Sequence, residues 1–140
     1  MHTTNYFDTF IAVAEDTAAV SATVPPQRAT PSVAELTFRT IAENPYANTS
    51  DDVIFGVWAE RQGIADSDLA DSRATFFSKG QPCLRSSDLG KRYGWGVHSD
   101  AEGRVALVPL GSVEYEQLAS GVGPEGETVA VTRAMRSSRR

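Results

Sequence analysis

Apolar and polar positions along the chain follow the two-residue period of strands near its start and end, and a helical period between. Residues 5–13, NYFDTFIAV, put Phe7, Ile11 and Val13 on one side of an extended chain and Tyr6, Phe10 and Ala12 on the other. Aromatic and β-branched residues on both faces predict a strand covered from both sides. A polar connection over 14–31 closes on VPPQRATP, whose adjacent prolines exclude helix. Three helices are then predicted. Ser32-Val33-Ala34-Glu35 has the form of a capping box and opens a helix to about Glu43, with Pro45 beyond it. Thr49 or Ser50 caps the second, with Asp51 and Asp52 in its first turn, Arg61 in its last, and Gly63 ending it. Val53, Ile54, Val57 and Trp58 form its apolar stripe. Asp66 or Ser67 starts the third, which turns Leu69, Ala70, Ala74 and Phe77 inward and ends at Lys79-Gly80. Residues 93–110 read as a hairpin turning at Asp100-Ala101-Glu102-Gly103. A short helix from Ser112 to about Ser120 and a strand over Glu127–Arg133 follow.

This order, β-α-α-α-β-β-α-β, predicts an α+β fold: a mostly antiparallel four-stranded sheet with three principal helices, in one domain spanning 1–140. Phe7, Phe10, Ile11, Trp58, Phe77, Trp95, Val97 and Leu107 are the expected core.

Composition excludes several classes. At 140 residues, 41% hydrophobic and 22% charged, the chain matches an ordinary soluble domain. It has no run of about 20 apolar residues to span a membrane, and its first residues lack the basic-then-apolar pattern of a signal peptide. Cys83 has no partner for an internal disulfide, which fits a reducing cytoplasm. The net charge of −5 divides unevenly: 11 acids and 4 bases over 1–78, against 7 acids and 9 bases over 79–140. Arg133, Arg136, Arg139 and Arg140 end the chain. Such a tail can contact phosphates, but the acidic remainder repels a polyanion, so residues 133–140 read as a frayed basic tail and nucleic acid as an unfavoured partner.

Motifs are sparse. GVGPEG at 121–126 spells G-x-G-x-x-G, but it follows a helix and precedes a strand, the reverse of a dinucleotide site. The acidic pairs at helix starts serve the helix dipole. Two histidines, His2 and His98, are too few for a metal site even with Asp100 beside His98, and no cofactor is implied. Cys83 near Lys79 and Arg85 reads as a small hydrophobe before it reads as an activated thiol.

The densest stretch is KRYGWGVHSD, residues 91–100. Alternation along a strand places Tyr93, Trp95, Val97 and Ser99 on one face and Gly94, Gly96, His98 and Asp100 on the other. With the turn at Asp100–Gly103, Val97 is expected opposite Ala106 and Trp95 opposite Val108, setting Gly94 and Gly96 beside Leu107 and Val105. Glycines within a strand mark a close approach of backbone or ligand. The candidate site is therefore this glycine-floored face. Arg85, Lys91 and Arg92 would grip an anion, and Gly94, Trp95 and Gly96 would bound its apolar body. His98, with an ordinary pKa of about 6.5, would exchange protons. Asp100 would orient the ring or cap the turn. The alternative reading is that a helix packs over the glycines and His98 is a hydrogen-bonded core residue. A second class is a non-enzymatic interaction module, a homo-oligomer with Trp95 at its interface.

The stretches HTTNYFDTFIAVAED, NPYANTSDDVIF and FFSKGQPCLRSSDLGKRYGWGVHSDAEGRVAL resemble those of a family of short bacterial proteins known as a domain of unknown function. The resemblance covers most of the chain except the Pro-rich connection and the residues after about Ser120. It implies a bacterial, cytoplasmic, stand-alone domain and carries over no catalytic residue.

Overall fold

The computed structural model describes residues 1–137; Arg139 and Arg140 lie outside the described residues. In chain order the elements are β1 (Thr9–Ala12), α1 (Val33–Ala42), α2 (Ser50–Gln62), α3 (Leu69–Phe76), α4 (Asp88–Lys91), β2 (Trp95–Ser99), β3 (Val105–Pro109), α5 (Val113–Ala119) and β4 (Ala130–Arg133). Turns of 3₁₀ helix at Asp66–Asp68 and Leu84–Ser86 lead into α3 and α4. Among the described residues there are thus five α-helices rather than three principal ones. α4 is the unforeseen one: Ser87 caps it by accepting from the Leu89 N–H, but four residues are too short to show a period.

The caps read from the sequence form in part. Ser32 accepts from the Glu35 N–H and starts α1, but the reciprocal half of the expected capping box is missing, because the Glu35 carboxylate accepts instead from the Arg28 N–H and pairs with Arg39; no side chain caps the turn at Asp66–Asp68. Thr49 and Asp52 close a reciprocal capping box on α2, and Gly63 ends that helix at φ +67°. Asp51 accepts from both the amide and the hydroxyl of Thr4, tying the N-terminal segment to the start of α2.

The sheet is mixed, which corrects the mostly antiparallel expectation. Its order is β3-β2-β1-β4. β2 pairs antiparallel with both β1 and β3, whereas β4 runs parallel to β1, from Thr9 opposite Ala130 to Ala12 opposite Arg133. The cause is α5. It carries the chain from β3 across the sheet to the far side of β1, and a helical crossover between two strands delivers the second in the same direction as the first.

The hairpin register is also corrected. Val97 faces Leu107 and Trp95 faces Pro109, one residue from the expected pairing. Arg104 belongs to the loop: the Asp100 N–H bonds the Arg104 carbonyl, and the Asp100 carboxylate accepts from the amides of Glu102 and Arg104. One residue of slip exchanges the faces of a strand. Val105 and Leu107 therefore join Val97, while Gly96 stands beside Val108 and His98 beside Ala106.

Two apolar layers result. Ile11, Val97 and Val105 pack against Leu36 and Ile41 of α1 and Val53 and Val57 of α2. On the opposite face Phe10, Ala12 and Val108 pack against Tyr115 and Leu118 of α5. Phe10, Ile11, Phe77 and Val97 are buried as expected; Phe7, 56% exposed, is not core, because the strand begins only at Thr9. Trp58, Trp95 and Leu107 are half-buried. The basic tail is held as far as it is described: Arg133 ends β4, and Arg136 pairs with Glu15. No helix among the described residues is long and apolar enough to cross a membrane.

Candidate functional site

The hairpin residues singled out in the sequence are dispersed. Gly96 faces the Phe10 ring, which comes within 2.5 Å of where a Cβ would lie, with Tyr115 at 3.1 Å. Gly94, at φ +79°, lies against the carbonyl of Ser21. The glycines thus admit an aromatic ring and a loop backbone rather than leaving a vacancy. Arg92 is exposed and 3.9 Å from Asp88, and Arg85 donates to the Arg133 carbonyl. Lys91 ends α4. Trp95 packs on Phe38, ring centroids 5.3 Å apart, and its indole N–H donates to the Thr23 carbonyl, so it fastens the Pro-rich connection to the sheet.

His98 is 2% exposed. Its Nδ1 shares a 2.8 Å hydrogen bond with the Tyr46 hydroxyl, while Nε2 is sealed from solvent without a partner. Burial lowers its pKa, against the opposing pull of Glu127, Asp100 and Asp8. Tyr46 itself holds φ +56°, a conformation that costs on the order of 1–3 kcal/mol for a non-glycine residue.

A concave surface with a ligand's dimensions lies elsewhere. A groove of about 370 Å³ opens between α1, α2, the end of α3 and the segment from Gln81 to Asp88. Val33, Ile54, Val57, Trp58, Phe76 and Leu84 make its walls mainly apolar. Trp58 is braced by Phe76 at 5.0 Å and Phe55 at 5.9 Å between ring centroids, a stack that fixes its indole before any ligand arrives.

Three residues that line this groove carry donors not used up by the protein. Thr37 is 5% exposed, yet its hydroxyl has no partner among the described residues. His98 Nε2 is the one sealed, unpartnered side-chain N or O atom among those residues. The Thr37 hydroxyl is therefore not sealed from solvent, and Thr37 is a lining residue of the groove. The indole N–H of Trp58 likewise has no acceptor among the described residues. Arg61 donates once, from Nη1 to the Pro31 carbonyl at 3.0 Å, and has no carboxylate partner among the described residues. Asp88, also a lining residue, has Arg92 3.9 Å away.

Cys83 lines the groove, but its sulfur is 3.4 Å from the Tyr6 hydroxyl; that bond, and then burial, raises the Tyr6 pKa. No imidazole lines the groove. Among the described residues no group of three or more His, Cys, Asp or Glu side chains is placed to hold a metal ion. Sequence reasoning assigned Trp58 to the core and Arg61 to the helix dipole. The available signals were Thr37, a hydroxyl within the inward stripe of α1, and the three-residue spacing that puts Trp58 and Arg61 on one face of α2.

A family model described as a family of unknown function, DUF6157, matches residues 1–140, taking in the Pro-rich connection and the C-terminal segment. Comparison with curated proteins and with solved structures finds no match.

Proposed function

Since this chain belongs to DUF6157, a family whose description carries no activity, we propose a function from its geometry: it binds a small molecule in the groove between α1, α2 and residues 81–88. The observation that carries this reading is the groove itself, with an apolar wall braced around Trp58 and unpartnered donors at its border. A volume of about 370 Å³ falls within the roughly 300–1,000 Å³ of small-molecule sites, which are likewise apolar with few polar groups. The anion expected from the sequence keeps its place in this reading, with Arg61 rather than Arg85 or Arg92 as the cation. Arg61 lines the groove and has donors to spare, whereas neither Arg85 nor Arg92 is among its lining residues.

The test is titration with 8-anilinonaphthalene-1-sulfonate, an aryl anion, followed by amide chemical-shift mapping. Saturable binding should shift the amides of Ala34, Val57, Trp58 and Cys83, and Trp58→Ala should weaken it about tenfold or more. Shifts confined to residues 93–108, or no saturable binding, overturn the reading.

A further inference from the structure

We infer that the ligand of the groove is a small aryl- or alkyl-carboxylate, its apolar body against Trp58 and its single negative charge on Arg61. This rests on the groove reading above and specifies its ligand. The groove's unused polar groups are unequal in kind. The Thr37 hydroxyl, the Trp58 indole N–H, the remaining guanidinium N–H groups of Arg61 and the Gln62 amide N–H groups have hydrogens to donate, against the Gln62 amide oxygen and the Asp88 carboxylate, beside Arg92, as acceptors. Gln81 has already committed its amide N–H to the Phe76 carbonyl, and Ser86 its hydroxyl to the Cys83 carbonyl. The Thr37 hydroxyl, which no described protein group bonds, is left to solvent, and a ligand that accepts hydrogen bonds can take the place of that solvent.

Charge narrows the class further. Arg61 is the one cationic side chain among the lining residues, and Asp88 is the one anionic side chain. A phosphate, with close to two charges and three acceptor oxygens, calls for several cations; one guanidinium suits one carboxylate. The walls exclude a wholly polar anion, because Val33, Ile54, Val57, Trp58 and Phe76 offer it nothing in exchange for its hydration. Trp58 and Arg61, one helical turn apart on α2, match a molecule with an apolar body and a terminal carboxylate.

Calorimetric titration with 4-phenylbutanoate and its isosteric amide, 4-phenylbutanamide, separates the two levels of the claim. The acid should bind the wild type about tenfold or more tightly than the amide. Arg61→Gln should bring the two affinities together, with the far-UV spectrum unchanged. Thr37→Val should weaken the acid several-fold while leaving the amide within about twofold. If acid and amide bind equally and Arg61→Gln changes neither, the carboxylate inference is overturned and the groove reading stands. If neither compound binds and Trp58 fluorescence does not respond to either, both are overturned.

Discussion

His98 stands near the end of β2 with one ring nitrogen on Tyr46 and the other on nothing. The groups facing it are Tyr46, Glu127 from the loop before β4, Asp100 from the hairpin turn and Asp8 from the approach to β1. The carboxylates favour the imidazolium, but burial outweighs them and the pKa falls below its usual 6.5 or so. The sign of the consequence follows from proton counting. Between the lowered native pKa and about 6.5 the unfolded chain binds a proton that the native chain does not, so stability rises with pH across that window and drops on acidification. Urea midpoints measured from pH 7.5 down to pH 5 should therefore decline in the wild type. The decline should be shallower in His98→Gln, which has nothing to titrate; parallel curves would contradict it. The composition of this site was visible in KRYGWGVHSD, but its surroundings were not. Gly96 signals a close approach in the sequence, and only tertiary packing shows that the approaching group is the Phe10 ring.

Among the elements, α2 depends most visibly on its first turn. Thr49 accepts from the Asp52 N–H while the Asp52 carboxylate accepts from the Thr49 N–H, and Asp51 in the same turn holds Thr4. Thr49→Ala should destabilise the protein by about 1 kcal/mol, read as a lower urea midpoint at unchanged slope, and Thr49→Ser should recover most of it. An unchanged midpoint would mean that packing alone fixes this end. Caps and turns of this kind are local, which is why α1, α2, α5 and the hairpin were legible in sequence within a few residues. Register and strand direction are not local. Including Arg104 in the hairpin loop shifts β3 by one residue, and the direction of β4 is set by the path of α5, for which no residue of β4 itself provides a signal. The groove was illegible for the same reason: Thr37, Trp58 and Cys83 meet only after three separate segments have packed.

For the molecule as a whole, the acidic first half and basic end meet in contacts. Arg136 pairs with Glu15, and the Ser137 N–H bonds the Asp16 carboxylate, just beyond the pairing of β4 with β1. β1 is a short, wholly buried strand, TFIA, lying between β2 and β4. Without β4 it would become an unpaired apolar edge, the kind of strand on which chains aggregate. Removing residues 128–140 should therefore raise light scattering and sedimenting mass above those of the full chain at equal concentration. A truncated chain that stays as dispersed, with its β1 amides still protected from exchange, would refute this. The parallel pairing also has a timetable. β1 ends at Ala12, yet one of its two neighbours is not synthesised until Ala130–Arg133. At about 5–20 residues per second that strand is absent for on the order of ten seconds. During each round of translation, the nascent protein must keep its most apolar edge covered by some means other than its own fold.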